Sequence, residues 1–248
     1  MKKVFISVFL AMLLFGQINA QIVTDRPDQT ESSSTVGSGN LQLESGFLIG
    51  FEGSGSFSTR QILLPTTLFR YGLTKGIEIR VLSQYETNKI ENNTIQGISD
   101  IQIGTKIQIL KNSKNTEIAF VSHLILPSGT KELTNDKFGT VNKIAFSHRL
   151  KENIGLGYNV GYNNFGDGAG DLTYSMSLAI GINDRVNAYI EPYGVFTNLE
   201  DFVLNFDSGI TYLVNETLQF DFSFGTGINQ RMNYLSIGCS WLLKKGKG

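Results

Sequence analysis

Apolar and polar residues alternate along most of this chain, most visibly from Leu68 to Tyr85, LFRYGLTKGIEIRVLSQY. Phe69, Tyr71, Ile77, Ile79, Val81 and Tyr85 fall on one side at period two. Arg70, Glu78, Arg80, Gln84 and, less typically, Leu82 fall on the other. The stretch Gly72 to Gly76 between them predicts a turn, so the whole reads as a hairpin with one apolar and one charged face. Both arms, at roughly ten residues, can cross a hydrocarbon layer when tilted. A half-buried strand of a soluble sandwich alternates as well, so the hairpin alone leaves two fold classes open.

The remaining chain favours the membrane. From Leu41 onward the pattern predicts twelve strands: Leu41–Phe51, Ile62–Tyr71, Ile77–Glu86, Ile98–Leu110, Glu117–Leu126, Val141–Leu150, Ile154–Tyr162, Leu172–Ile182, Val186–Phe196, Phe202–Val214, Leu218–Gly227 and Asn233–Leu243. Ile98–Leu110 is the cleanest, with Ile101, Ile103, Ile107 and Ile109 opposite Asp100, Gln102, Lys106 and Gln108. Connections alternate in length. Gly72–Lys75, Lys111–Thr116, Lys151–Asn153, Asn183–Arg185 and Asn215–Thr217 are tight turns. Glu52–Gln61, Thr87–Gly97, Pro127–Thr140 and Asn163–Asp171 are longer, although Thr197–Asp201 is short. That parity is expected of an outer-membrane barrel with periplasmic turns and external loops, and a sandwich has no reason to keep it. Tyr71, Tyr85, Tyr162, Tyr174, Tyr212, Phe220, Tyr234 and Trp241 sit near strand ends on the predicted outward face, where interfacial girdles need amphipathic rings. The expected fold is therefore all-β: a closed antiparallel transmembrane barrel of about twelve strands over residues 41–248. The ending WLLKKGKG departs from the aromatic finish common in such barrels.

Composition narrows this further. Lys2 and Lys3, an apolar run from Val4 to Phe15 and small Ala20 have the form of a secretory signal peptide over residues 1–20, too short to span as a helix. Charge is nearly balanced, with 21 basic and 22 acidic residues, so no basic surface points to nucleic acid. One cysteine, Cys239, excludes an internal disulfide framework. Residues 21–40, QIVTDRPDQTESSSTVGSGN, are polar and aperiodic and carry Asp25, Arg26, Asp28 and Glu31. They read either as a flexible leader or as a plug that enters the lumen.

Candidate chemistry lies on the inward parity, which holds Glu44, Arg70, Glu78, Arg80, Asp100, Lys106, Glu117, Lys143, Arg149, Glu191, Asp207 and Asp221. Such charges either close the wall with ion pairs or form a polar path that selects solutes. A register closing on Gly72 to Gly76 would set Arg70 opposite Glu78. The candidate solute-contacting residues are Arg70, Glu78, Arg80, Asp100, Lys106, Glu191, Asp207 and Asp221. Catalytic signals are weak: His123 follows Ser122 and His148 follows Ser147, and strand neighbours point to opposite faces. Asp167-Gly-Ala-Gly-Asp171 reads as a Gly-rich external loop, and neither a metal nor a cofactor is assigned.

Thr24-Asp25-Arg26-Pro27-Asp28-Gln29-Thr30-Glu31-Ser32, Leu41 to Phe47 (LQLESGF), Phe69-Arg70-Tyr71-Gly72-Leu73-Thr74 and Ile77-Glu78-Ile79-Arg80 together resemble the outer-membrane transporter family named for the meta-pathway of phenol degradation. Ser99-Asp100-Ile101 with Gly104-Thr105-Lys106, Leu126-Pro127-Ser128-Gly129 and Asp207 to Tyr212 (DSGITY) extend the resemblance over nearly all the chain past residue 20. It implies an outer-membrane pore or transporter for small solutes, aromatic or hydrophobic compounds among them, without catalytic activity. Its expected partners are outer-membrane lipids, the barrel-assembly machinery and a small-molecule solute. A lipid-acting barrel enzyme and a closed structural or adhesive barrel are the alternatives.

Overall fold

The computed structural model describes residues 22–53, 58–112 and 115–246; the predicted signal peptide lies outside them. Thirteen antiparallel strands follow in order: β1 (Leu41–Glu52), β2 (Thr59–Thr74), β3 (Ile77–Ile90), β4 (Asn93–Ile98), β5 (Gln102–Asn112), β6 (Thr116–Ile125), β7 (Gly139–Lys151), β8 (Ile154–Asn164), β9 (Asp171–Gly181), β10 (Val186–Thr197), β11 (Asp201–Asn215), β12 (Leu218–Gly227) and β13 (Met232–Leu243). Sequential strands pair as a meander, and β13 pairs with β1 over twelve residue pairs, which closes the barrel and removes its edges. β4 pairs with the far half of β3, Tyr85–Ile90, and β5 with the near half, Ile77–Leu82. These two short strands share one place, so the circumference counts twelve.

Two expectations need correction here. The predicted strand Ile98–Leu110 is broken at Ser99–Ile101, and the predicted loop Thr87–Gly97 is a hairpin that turns at Glu91–Asn92. Both errors have one cause: β3 and β4 continue the ladder past the part that alternates in hydrophobicity, so pattern alone ends the strand too early.

Burial decides between sandwich and membrane barrel. The seven largest fully buried side chains are Arg70, Arg80, Lys106, Gln42, Glu44, Glu78 and Glu191, while Ile103, Ile107, Ile109, Ile210, Phe222, Ile237 and Trp241 stand exposed. A soluble core inverts that order. The apolar face is turned to lipid and the polar face to the lumen. Tyr71, Tyr85, Tyr162, Tyr212 and Phe220 are exposed on this outer face, and Tyr174 stacks there on Phe202 with ring centroids 6.0 Å apart. Tyr234 does not join them. It is buried, and its hydroxyl donates to Asp207 at 2.6 Å, so its predicted outward facing was wrong by one residue of parity.

The connections at one end of the barrel are all short, whereas the other end carries the long ones, 126–138 and 165–170 among them, together with the short turns 198–200 and 228–231. The β2–β3 hairpin turns at Lys75–Gly76, not at Gly72, which pairs within the ladder with Glu78. Its register sets Arg70 across from Arg80, so Glu78 lies diagonal to Arg70 and not opposite it as expected.

Candidate functional site: a charged lumen and the segment it holds

Residues 22–40 lie inside the barrel. At the short-turn end, the Ile22 amide donates to the Glu216 carbonyl at 3.0 Å, and the Gly39 amide to the Gly72 carbonyl at 2.7 Å. Between these anchors the chain climbs to Gln29 and Thr30, which reach Glu191 on β10, and then returns. The Ser32 amide closes the loop on Asp25 Oδ1 at 2.9 Å.

The lumen wall is divided by charge. β2 to β7 carry Arg70, Arg80, Lys106 and Lys143, whereas β10 to β12 carry Glu191, Asp207 and Asp221. Neighbours in an extended chain point to opposite sides, and Asp25-Arg26 uses this to address both halves at once. Asp25 meets Arg80 Nη1 at 2.7 Å, Lys106 Nζ at 2.8 Å and Arg70 Nη1 at 3.3 Å. Arg26 turns the other way and donates to Asp221 at 3.0 Å and to Ser236 Oγ at 3.0 Å. Glu44 accepts the amides of both, at 2.9 and 3.1 Å. Glu31 adds contacts to Arg80 at 2.9 Å and Lys143 at 3.2 Å, while Asn159 brackets its backbone. Arg70 also holds Glu78 at 2.9 Å and Glu44 at 2.7 Å.

Counting formal charges shows what the segment supplies. The four wall cations face only two wall carboxylates in this belt, Glu44 and Glu78, so Asp25 and Glu31 are what bring it to neutrality. Removing one member of such a buried set leaves an uncompensated charge, which is the costly case.

On the acidic side Glu191 and Asp207 stand directly opposite each other, a like-charge arrangement that opposes folding. Among the described residues no cation pairs with either. Donors answer them instead: the Gln29 amide at 2.7 Å and the Thr30 hydroxyl on Glu191, and the Tyr234 hydroxyl on Asp207. Gly225 lets the Tyr234 ring lie flat on the wall to reach that carboxylate.

Glycines set how closely the segment approaches. Gly46 and Gly238 pair across β1 and β13, and the Arg26 guanidinium lies over both, with Cζ 2.5 Å from where a Gly46 Cβ would stand. At Gly72 a Cβ would collide with the Gly37 carbonyl. Gly238→Val should therefore push Arg26 off Asp221 and expose the loop. Glutamyl endopeptidase is expected to cut after Glu31 in the variant and to spare the folded native barrel, with both keeping heat-modifiable mobility on a gel. Equal protection would show that Arg26 does not anchor the segment.

A family model described as "Putative MetA-pathway of phenol degradation" matches residues 24–238, from this charged segment to β13. The chain belongs to this family. No curated protein matches its sequence. Among solved structures it is similar to the COG4313 outer membrane channel from Pseudomonas putida F1, with 10% identity, a TM-score of 0.73, and coverage of 85% of this chain and 98% of that one. It is also similar to the KdgM porin in complex with disordered oligogalacturonate, with 7% identity, a TM-score of 0.56, and coverage of 81% and 98%. At these identities the likeness establishes the fold, an outer-membrane β-barrel.

Two pieces of the family resemblance meet at the long-loop end, where Asp100 needs correction. It is not on the lumen wall but in the Ser99–Ile101 break, where it accepts the amides of Gly129 at 2.8 Å, Ser128 at 3.0 Å and Asn135 at 3.3 Å. The Ser-Asp-Ile and Leu-Pro-Ser-Gly pieces thus clasp each other. Burial alone would push the Asp100 carboxyl up, but the donors from Gly129, the Thr134 side chain, Asn135 and Ser128 outweigh it and hold the pKa below its ordinary value. A depressed folded pKa stabilises above the unfolded value, near 4, and that contribution is lost as pH falls below it. Amide protection factors in residues 126–135, taken against the intrinsic exchange rate at each pH, are expected to fall below about pH 4, and in Asp100→Asn to lose that pH step. A step that survives in the variant would assign it to another carboxylate.

The other seven predicted residues, Arg70, Glu78, Arg80, Lys106, Glu191, Asp207 and Asp221, all face the lumen and are buried, but they meet one another and the segment, not open water. Sequence reasoning weighed His123 only as a catalytic residue and missed it as a lumen residue, where it accepts from Arg80 Nε at 2.9 Å. Its neighbours on that face of β6 are apolar, Val121 and Ile125, and the charged residue of the face, Glu117, lies six positions away, so no cluster of polar residues marked it. Asn159 and Gln42 were missed because neutral amides give no charge signal.

Proposed function

We propose that this protein is an outer-membrane channel for small solutes and that residues 22–40 are its plug. One observation carries the reading: the segment stands between two cavities on the barrel axis. Val23, Ser32 and Ser34 border a cavity of about 1020 Å³ at the short-turn end, and Asp25–Gln29 with Glu31 border one of about 450 Å³ on the other side. A twelve-stranded barrel is wider than the eight-stranded kind that side chains alone fill, so an internal segment is what divides it. Residues 1–20 serve as the export signal, and the short-turn end, where Ile22 is anchored, faces the periplasm. Names of two similar structures, an outer membrane channel and a porin, agree with a transport role.

The chain is not an enzyme in this reading. His123 is engaged by Arg80 and Gln102, and His148, on the outer face between the Thr116 and Tyr158 hydroxyls, has no carboxylate to orient it as a base among the described residues. Reconstituted protein is expected to pass small uncharged solutes into liposomes and to leave their lipid intact. Lipid turnover without solute flux would replace this reading with the lipid-enzyme alternative.

A further inference from the structure

We propose that Arg60 and Lys89, on the outer face of β2 and β3 at the long-loop end, form a binding site for a lipid phosphate monoester in the adjoining leaflet. The site is independent of whether the lumen conducts. Register sets the two residues directly opposite each other, and like charges so placed repel. Arg70 and Arg80 stand opposite in the same two strands, but there Glu44, Glu78 and Asp25 neutralise them. Arg60 and Lys89 are both exposed, and among the described residues neither side chain has an ion-pair or hydrogen-bond partner.

Parity explains why no acid reaches them. Gln61 Nε2 and Asn88 Nδ2 both donate to Glu86 Oε1 at 2.7 Å, which holds these three on the lumen side of their strands and turns Arg60 and Lys89 to the lipid side. Glu52 has the lumen parity of β1, and residues 54–57, SGSF, contain no acid. Glu91, in the turn past Lys89, pairs with neither cation. On β6 to β11 the outward residues at this end are neutral, Leu124, Tyr162, Leu172, Phe196 and Phe202 among them. Arg231, exposed just before β13, adds a third cation on the other flank. Positive charge thus gathers in the sector from β13 to β3 and does not form a girdle.

Height and chemistry name the ligand. From the row where Tyr71 pairs with Ile79 up to Lys89, β3 rises about 25 Å along a barrel axis at ordinary tilt, the height of the apolar band. The two cations therefore stand at its edge. One row below them Ile49 pairs with Ile62, and Tyr85 is exposed beyond, so acyl chains lie along this face while the phosphate meets the charges. The planar Arg60 guanidinium offers two donors to two phosphate oxygens, and Lys89 adds a point charge beside it. Two cations match a monoester, which carries nearly two negative charges, better than a diester, which carries one.

Purified full-length protein in dodecyl maltoside micelles is titrated with dioleoyl phosphatidic acid, phosphatidylglycerol and phosphatidylcholine, and bound lipid is counted by native mass spectrometry. The expected order of affinity is phosphatidic acid, then phosphatidylglycerol, then phosphatidylcholine. Arg60→Gln and Lys89→Gln should each weaken phosphatidic acid about fivefold and shrink its lead over phosphatidylglycerol, the loss expected for one cation at a membrane surface. Arg185→Gln removes the same charge from an exposed turn at the short-turn end and should leave the affinities unchanged. Equal affinity for phosphatidic acid and phosphatidylglycerol, or phosphatidic acid bound as tightly by both variants as by the native protein, would overturn the proposal. Release of the bound lipid by an equal concentration of inorganic phosphate would make this a site for free phosphate and overturn the lipid assignment.

Discussion

Deleting Thr24 to Ser34, with residues 1–23 kept so that export and cleavage are untouched, is expected to raise single-channel conductance several-fold. The deletion removes every contact that crosses the lumen at the belt: Asp25 on Arg70, Arg80 and Lys106, Arg26 on Asp221, and Thr30 on Ser175 and Glu191. What remains is a ring in which Glu44 and Glu78 face four wall cations, and the two charges left over are hydrated as water enters. The barrel should still form, because its strands close through β1 and β13 without help from the segment. Resistance of the folded band to heat is thus expected to change little while conductance rises. A correctly folded deletion with native conductance would make residues 22–40 a leader that merely rests in the lumen, and would move control of passage to loop 126–138.

Asp25→Asn is expected to reproduce most of that opening with a single atom's change in charge. Arg70, Arg80 and Lys106 all lie within 3.3 Å of this carboxylate, and all three are buried. Were the loop to stay in place, leaving these cations underpaired would cost roughly 3–5 kcal/mol. Undocking lets water solvate them, and the closure entropy of so short a loop is small by comparison. The loop therefore leaves before the barrel unfolds. Conductance should rise toward that of the deletion, and endopeptidase should cut after Glu31. The opposite pattern, a protected loop with a lower melting temperature of the barrel, would mean that the belt is a structural strut and the segment part of the fold.

Much of the architecture was legible from the chain because lipid and lumen impose opposite chemistry on alternate residues. Ile79 and Arg80 cannot exchange faces without a large cost, so parity fixed most facings. Register was less legible. It depends on where the β2–β3 hairpin turns, and Gly72, read as a turn residue, is instead the place where Gly37 presses against the wall. The partners of the belt were beyond reach of sequence spacing, since Asp25 meets Lys106 at a separation of 81 residues and Arg26 meets Asp221 at 195. Leu82 stood out as an apolar residue on the charged side of its strand, and only the register shows that it pairs with another such residue, Leu68. Asp100 had the right parity for a wall residue and the wrong backbone, because the ladder breaks at Ser99 to hold the Leu126–Gly129 loop.

The central claim is that the segment occupies the lumen and must move for solute to pass, and a reversible covalent lock tests it most directly. Thr30 Oγ1 and Ser175 Oγ are 2.7 Å apart, so Thr30→Cys with Ser175→Cys, in a Cys239→Ser background, places two thiols within reach of a disulfide. Swelling of proteoliposomes in arabinose is predicted to be absent while the pair is oxidised and to appear on reduction, with single-cysteine controls indifferent to the reductant. Equal swelling in both states, or failure of the two thiols to join in the folded barrel, would contradict the account.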